Sequence, residues 1–447
     1  MLKNGFEIKV WTPPRILAIG YAVCILIGTL LLMLPVAHRS GEGLSFLNAF
    51  FTATSATCVT GLVVVDTGTF FSTFGQVVIM CLIQIGGLGF MTVATLFALV
   101  FRRRISLRER LVLQEAMNQG DMEGIVRLIK KVIYYSFAIE LIAACLFTLR
   151  LMADFPLGQA MYYGVFHAVS LFNNAGFDLF GHYSSFTRYV SDPAINLISM
   201  ALIILGGLGF VVLSDLIEYR KKRKLSLHSK AVLWMTSILL VGGFLLVFAF
   251  EFTNMRTIGS LSWDGKFWGS LFQSVTTRTA GANTLDLTQL RQATLLLTII
   301  LMFIGGSPGS TAGGVKTTTI LLIIGAVISM VKGKEDVVLF YFRINKDRIY
   351  KALTITVFSL SLVIVATMIL TMTEATGFIN VLFEATSAFG TVGLSLGLTP
   401  NLSTPGKLVI CLLMFAGRVG MITLVYALAP KQGKELYRYP EGKIMIG

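Results

Sequence analysis

A glycine ends a short apolar segment led by phenylalanine at four places in this 447-residue chain. The four glycines lie 115, 105 and 112 residues apart, and the phenylalanine stands ten residues before the glycine in three segments and nine before it in the third. A unit of about 110 residues is therefore repeated four times, a period too long for a solenoid. This pattern predicts a pore built from four similar units. The segments are Phe51–Gly61, Phe166–Gly176, Phe272–Gly281 and Phe383–Gly393.

The composition places these units in a membrane. The chain is 55% hydrophobic and 13% charged, with a mean hydropathy of +0.78, which excludes an ordinary soluble globule. A helix that crosses a bilayer needs roughly 20 apolar residues. The first such stretch is longer than the apolar part of a signal peptide and lacks a cleavage site, so we expect a retained helix. The predicted spans lie near 16–37, 75–101, 132–153, 193–217, 231–250, 352–372 and 407–429, and an eighth, near 292–331, is interrupted.

Between the long spans, each phenylalanine-led segment has an apolar stretch of only about 10–14 residues, which fits a re-entrant half-helix better than a full crossing. We therefore predict an all-α integral membrane protein of four helix–pore-loop–helix repeats with pseudo-fourfold symmetry around one pore. The predicted repeats cover 1–118, 119–225, 226–340 and 341–430, and a C-terminal tail covers 431–447.

The distribution of positive charge predicts the orientation. If the N-terminus is inside, the inner segments hold 27 of the 37 basic residues, as the preference of Lys and Arg for the cytoplasmic side requires. Both termini are then cytoplasmic, and the glycine loops face outward. The basic runs at 102–104 and 220–224 follow from this topology, so we predict no binding of nucleic acid.

The glycine loops are the predicted ion-binding elements. Backbone carbonyls can replace the water shell of a cation without the cost of burying a carboxylate. Glycine permits the backbone angles that bring consecutive carbonyls to one axis. Asp66, Asp178 and Asp286 follow three of these loops, and either concentrate cations at the mouth or are ordinary loop acids. The predicted filter residues are Val59, Thr60, Gly61, Asn174, Ala175, Gly176, Thr279, Ala280, Gly281, Thr391, Val392 and Gly393.

A second glycine cluster follows each filter, as in Ile85–Phe90 and Leu205–Phe210, where it indicates close helix packing. In the third repeat, five glycines and Pro308 fall within ten residues, which no continuous helix sustains. We predict that this break, at 305–319, forms a gate loop that obstructs the pore beneath the filter. The predicted gate residues are Gly305, Gly306, Ser307, Pro308, Gly309, Ser310, Thr311, Ala312, Gly313, Gly314, Lys316 and Arg418.

Arg418 lies within the last span, where a charge costs roughly 2.5–3.5 kcal/mol on insertion scales. We expect it to face the bundle interior, with carbonyls or hydroxyls of the 305–314 loop as partners. The alternative is a long side chain that reaches the membrane surface.

Nothing in the sequence supports an enzyme. The pattern from Gly305 to Gly309 resembles a nucleophile elbow, but Pro308 lacks the N–H that an oxyanion hole needs. A phosphate-binding loop is excluded because Val315 stands where glycine should precede Lys316. The histidines and cysteines lack metal-binding spacing, so we predict no cofactor. His167 is more consistent with a packed or pore-supporting residue than with a ligand. Four carboxylates near or within apolar segments lack catalytic partners, namely Glu140, Glu251, Glu374 and Glu384.

The fourfold plan, the single glycine in each filter and the break at Gly305–Gly314 resemble the Ktr/Trk/HKT potassium transporter superfamily. In length, the chain is most similar to the membrane, ion-translocating subunit of the bacterial Ktr systems. This resemblance covers essentially the whole chain and implies a potassium-translocating subunit of the plasma membrane, with K+ as cargo and Na+ as a candidate activator. It also implies a homodimer with one pore per protomer, surrounded by membrane lipid and controlled by a separate cytosolic RCK-type ring that binds ATP or ADP. Glycine in all four filters places the chain with the potassium-selective relatives.

A second function class is a sodium-coupled secondary transporter with a substrate site at broken helices. Such a transporter would contain paired inverted repeats, whereas the four units here run in one direction. The sequence leaves sodium dependence open, as well as the roles of His167, Asn173 and Arg278 near the filter.

Overall fold

The computed structural model describes residues 12–41, 43–100, 105–116 and 124–428, with residues 440, 442 and 445 in isolation. The basic run at 102–104 and almost all of the predicted tail at 431–447 lie outside the described residues. Within them the regular secondary structure is almost entirely helical, and one small hairpin joins the third and fourth repeats.

The helices occur in the repeating order that the sequence predicts. The first repeat contains α1 (Pro13–Leu32), α2 (Phe46–Thr57), α3 (Thr67–Phe70), α4 (Thr73–Leu88), α5 (Phe90–Val100) and α6 (Leu107–Ala116). The second contains α7 (Ile125–Leu151), α8 (Leu157–Phe172), α9 (Pro193–Leu208) and α10 (Phe210–Lys222). The third contains α11 (Leu227–Glu251), α12 (Trp263–Thr276), α13 (Gln292–Phe303) and α14 (Thr317–Val331), followed by the antiparallel strands β1 (Val338–Leu339) and β2 (Phe342–Arg343). The fourth contains α15 (Lys346–Thr373), α16 (Phe378–Gly390), α17 (Thr404–Val419) and α18 (Met421–Leu428).

The first helix of each repeat is the long one. By length and composition, α1, α7, α11 and α15 can each cross a membrane, and two bent helix pairs raise the number of candidate spans to six. Their outer faces are apolar, as at Leu30 and Leu149, which are 64% and 69% exposed. An exposed apolar face of this kind suits contact with lipid.

The second helix of every repeat is broken, and the prediction of continuous spans at 75–101, 193–217 and 407–429 was wrong. The chain bends by 98° between α4 and α5 and by 102° between α9 and α10. The breaks fall at Gly89, Gly209 and Gly420, which have φ values of 85°, 94° and 89°. This left-handed region is readily available only to glycine, and it cannot continue an α-helix.

Polar caps fix where the second helices begin. Ser72 accepts a hydrogen bond from the Gly75 N–H at the start of α4, and Ser403 does the same for Gly406 at the start of α17. The start of α13 uses a side chain from another helix, because Glu251 at the end of α11 accepts the Arg291 N–H at 2.9 Å. The Glu251 cap also ties the first and second long helices of the third repeat together.

The four short helices that precede the filters, α2, α8, α12 and α16, are called the pore helices here. Their leading phenylalanines are at most 1% exposed, so each pore helix is enclosed by protein. This enclosure is what a half-helix at membrane depth requires. The buried phenylalanines are Phe51, Phe166, Phe272 and Phe383.

Candidate functional site: a ring of four filter loops

The four predicted filter glycines form a closed ring. A Cβ atom added to Gly176 would lie 2.6 Å from the carbonyl oxygen of Ala280 and 2.9 Å from the Cα atom of Gly281. Every filter glycine makes the equivalent approach to the next repeat, and the fourth repeat returns to the first. A side chain at any of these positions would strike the neighbouring loop. The approaching pairs are Gly61 with Ala175, Gly176 with Ala280, Gly281 with Val392 and Gly393 with Thr60.

The four loops share one unusual backbone conformation. The filter glycines have φ values of 89°, 71°, 74° and 91°, and the residue two positions earlier also has a positive φ in every repeat. Left-handed angles at non-glycine residues cost of order 1–3 kcal/mol and persist only where the surroundings enforce them. Positive φ at alternate residues turns successive carbonyls toward one side, the arrangement that can coordinate a cation. The non-glycine residues are Val59 (58°), Asn174 (59°), Thr279 (71°) and Thr391 (50°).

Hydroxyl side chains on the pore helices hold these loops, and the sequence analysis missed them. Ser55 and Ser387 accept the N–H of Gly61 and of Gly393, both at 3.1 Å. In the other two repeats the hydroxyl donates instead to a carbonyl just after the glycine. The available signal was a serine or threonine four residues after each leading phenylalanine. The two donating pairs are Ser170 to Phe177, at 2.6 Å, and Thr276 to Ala282.

The residue directly after the leading phenylalanine supports the outer loop in two repeats. The Nδ1 atom of His167 lies 2.8 Å from the Tyr163 carbonyl, and its Nε2 atom accepts the Leu179 N–H at 3.3 Å. His167 is thus placed as a neutral ring that supports the second filter loop. Glu384 takes the same position in the fourth repeat and accepts from the hydroxyls of Ser395, at 2.8 Å, and Thr399.

An outer cavity of about 410 Å³ opens above the ring and contains all three predicted acids in its lining. Each acid also binds its own loop. Asp66 accepts the Thr69 N–H at 2.9 Å, Asp178 accepts the Phe180 N–H at 3.0 Å, and Asp286 accepts the N–H of Thr288 at 3.0 Å. The two interpretations of these acids are therefore compatible, because each carboxyl group can cap a loop and still line the cavity.

The predicted gate loop lies against the broken helix of the second repeat. The Ser307 and Thr311 N–H groups donate to the carbonyls of Gly207, at 3.0 Å, and Gly206, at 3.2 Å. In return, the Phe210 N–H donates to the Gly309 carbonyl at 2.9 Å. The breaks in the second and third repeats therefore hold each other through backbone hydrogen bonds.

The same loop reaches two of the four filter loops from below. The Thr311 hydroxyl donates to the Phe172 carbonyl at the end of α8, at 3.2 Å. Gly313 packs so closely on Thr391 that an added Cβ atom would clash with the threonine side chain. The loop therefore lies directly beneath the second and fourth filters.

Arg418 faces the bundle interior and does not extend to the surface. Its guanidinium donates to the carbonyls of Thr311, Gly86 and Gly87, the last at 2.9 Å. Lys316 donates from Nζ to the carbonyl of Ala312 at 2.6 Å. Both cations line an inner cavity of about 210 Å³ below the ring, together with Pro308 and Ser310.

The glycine clusters before the breaks make the close packing that the sequence predicts. A Cβ atom added to Gly86 or Gly206 would clash with the last carbonyls of the first or second pore helix, at Thr57 or Phe172. Gly417 meets the Phe389 carbonyl in the same way. These contacts leave no room for a larger residue where the second helix crosses the pore helix in the first, second and fourth repeats.

The buried carboxylates have structural partners and form no catalytic pair. Glu140 accepts hydrogen bonds from Gln84 and from Asn173, both at 3.1 Å, and so joins α7, α4 and α8. Glu374 accepts the Ser403 N–H at 3.1 Å. Among the described residues, no group of three or more His, Cys, Asp or Glu side chains could hold a metal ion.

Comparison with known proteins identifies a family of cation transporters that this chain resembles over almost its whole length. The TrkH family, described as cation transport proteins, matches residues 6–435. The chain is 46% identical to Ktr system potassium uptake protein B of Bacillus subtilis over 98% of this chain and 97% of the relative. It is 42% identical to the potassium/sodium uptake protein NtpJ of Enterococcus hirae over 98% of this chain and 97% of the relative.

A solved structure shares the fold. The crystal structure of the potassium transporter TrkH from Vibrio parahaemolyticus aligns with a TM-score of 0.73 and 20% identity, covering 96% of this chain and 87% of that one. The predicted all-α fold of four pore-loop repeats is thereby confirmed. The chain belongs to the TrkH family of cation transport proteins, a family of membrane transporters and not of enzymes.

Proposed function

We propose that this chain is a potassium uptake subunit that conducts K+ through the ring of four filter loops. The closed ring carries this proposal, because each filter glycine approaches the carbonyl of the next repeat and the fourth returns to the first. Carbonyls held in such a ring can replace the water shell of a monovalent cation. The relatives named for potassium uptake support K+ as the cargo.

The gate in this proposal is the predicted segment 305–319 with Arg418. The last three residues of this segment, 317–319, are not loop but the first turn of α14. The loop lies beneath two filters and is tied to the second repeat by three backbone hydrogen bonds. Arg418 adds a positive charge and a tether to the Thr311 carbonyl. In this proposal the loop blocks the path from the ring through the inner cavity, and the path opens when the loop releases its hydrogen bonds to the carbonyls of Gly206 and Gly207.

A sodium-coupled secondary transporter is the less favoured alternative. Its substrate site would lie between paired inverted repeats at broken helices. Here all four second helices break, and the four loops that precede them surround one axis. This arrangement favours one axial pathway over a substrate site between two halves.

Family membership supports a proposal for the cellular setting of the subunit. We propose a plasma-membrane protein with both termini cytoplasmic, which acts as a homodimer with one pore per protomer. A cytosolic RCK-type ring that binds ATP or ADP would dock on the basic inner face, with Na+ as an activator and no resident cofactor. The Bacillus subtilis relative, named as protein B of a Ktr system, supports a multi-component assembly.

The test is rubidium uptake into proteoliposomes, with K+ or Na+ as competitor, for the native chain and for Gly61→Ser and Gly393→Ser. We expect K+ to compete far better than Na+ in the native protein, and each serine to reduce this preference. A serine Cβ at either glycine would strike the next loop and sits at a φ near 90°. Equal competition by the two ions in the native protein would contradict potassium selectivity.

A further inference from the structure

Arg278 is a buried cation that directly precedes the third filter stretch. Only 6% of the residue is exposed, and its Nε atom has no hydrogen-bond partner within the part of the chain that the structure describes. It differs in this respect from Arg418 and Lys316, whose charges are held by carbonyls. A charge inside a membrane bundle is expensive and marks a candidate functional residue.

The surroundings of Arg278 do not neutralise it. The residue lines a cavity of only about 10 Å³ between α9, α11 and α12. The described residues of this lining include no carboxylate, and the Thr236 hydroxyl in the same lining also lacks a partner. The other lining residues are Ile203, Ile204, Gly207, Leu240 and Val275.

The charge is specific to one repeat. Three residues before the filter glycine, the other repeats carry the uncharged residues Cys58, Asn173 and Gly390. Asn173 lies in the corresponding place between the preceding repeat and its own. Its amide nitrogen donates to Gln84 at 2.8 Å and to Glu140 at 3.1 Å, whereas its Oδ1 atom has no hydrogen-bond partner among the described residues. The third repeat therefore has a cation with no carboxylate in its cavity lining, where the second has an amide that donates to the Glu140 carboxylate.

Arg278 lies where it can oppose the negative potential that the C-terminal ends of the pore helices create near the ring. The pore helices end within five residues of the filter glycines, so their negative C-terminal ends lie close to the ring. Arg278 is two residues beyond the end of α12 and opposes that negative potential in one repeat of four. Arg278 is three residues before Gly281, and three residues of chain span at most about 11 Å. With the length of the arginine side chain added, the guanidinium lies within roughly 20 Å of the ring.

We propose that Arg278 is a positioning residue that weakens the binding of monovalent cations in the pore and so speeds their release. Conduction requires binding that is favourable enough for entry and weak enough for exit. In an effective dielectric of about 20, a unit charge about 20 Å away still changes cation affinity about fourfold. The inference rests on the proposed function, because it assumes that cations occupy the ring.

The experiment measures equilibrium binding of Rb+ and Na+ and initial rubidium uptake in the full-length protein. Arg278→Gln removes the charge, and Arg278→Lys keeps it as the matched control. Thr236→Asp leaves Arg278 in place and supplies a carboxylate in the same cavity, with Thr236→Asn as its uncharged control. We expect Arg278→Gln and Thr236→Asp to bind both ions about fourfold more tightly or better, with a lower maximal uptake and an unchanged Rb+/Na+ affinity ratio.

A change of the Rb+/Na+ ratio without tighter binding of both ions would show that Arg278 acts on filter shape, and would overturn the proposal. Affinities equal to the native value in Arg278→Gln and Thr236→Asp would also overturn it. If Arg278→Gln does not fold, the Thr236→Asp and Thr236→Asn pair decides alone. A native protein that neither binds nor transports Rb+ would instead contradict the proposed function.

Discussion

Replacing Arg418 by alanine should open the pathway. Of the three carbonyls that the guanidinium binds, only that of Thr311 belongs to the gate loop. A hydrogen bond from a charged donor contributes about 1.5–3 kcal/mol. Loss of this single tether therefore shifts the equilibrium between a closed and an open loop about 10- to 150-fold. If the closed loop limits flux, rubidium uptake should rise about tenfold or more.

The assay is the initial rate of rubidium uptake into proteoliposomes at matched protein density, with elution on a sizing column as the check of folding. Arg418→Lys is the control, because it keeps the positive charge but replaces the wide guanidinium fork, which donates from two nitrogens, with a single compact ammonium group. Its uptake should fall between the native and alanine rates. A well-folded Arg418→Ala protein with uptake within about twofold of native would refute a gating role for this side chain.

Three further predictions follow from the contacts. Deleting Ser310–Gly314 should raise rubidium uptake, because this segment lies beneath the filters, and unchanged uptake would count against the gate loop. Ser387→Ala should lower the K+ over Na+ preference in competition assays by leaving the Gly393 N–H unpaired, at a cost of about 1–3 kcal/mol. Its control, Thr354→Ala on the exposed face of α15, should leave the preference unchanged. Gly206→Ala should lower the thermal unfolding temperature, because the added methyl group clashes with the second pore helix at a cost of about 1–3 kcal/mol. The control Gly242→Ala, which has open space around it, should leave the temperature unchanged. Equal unfolding temperatures for the two variants would contradict the close contact at Gly206.

The repeat plan and the ring of four glycines could be predicted from sequence because the constraint acts on residue type. At Gly61 and its three equivalents, only glycine satisfies both the positive φ and the contact with the next loop. The break at Gly305–Gly314 could also be predicted from sequence, because proline and several glycines end a helix regardless of tertiary context.

The other helix breaks could not be predicted, because local sequence does not distinguish them. Three of the four residues before Phe90 are glycines, namely Gly86, Gly87 and Gly89, and the sequence does not show at which of them the helix breaks. Packing assigns the contact with the pore helix to Gly86 and the positive φ to Gly89. That choice depends on where α2 ends, which is long-range information.

The hydroxyls that hold the filters were missed for a different reason. Ser55 lies in a segment that contains several threonines, so a single repeat gives no reason to select it. Only alignment of the four repeats on the phenylalanine, and not on the glycine, places Ser55, Ser170, Thr276 and Ser387 in register. The third repeat is one residue shorter between phenylalanine and glycine, which hides this register.

The most direct measurement is a density map of the protein in Rb+, compared with a map in a large organic cation that cannot enter the filter. Our account predicts difference density for Rb+ on the axis of the ring, beside the carbonyls of Thr60, Ala175, Ala280 and Val392. A map without Rb+ at this ring, or with the four loops apart, would contradict it.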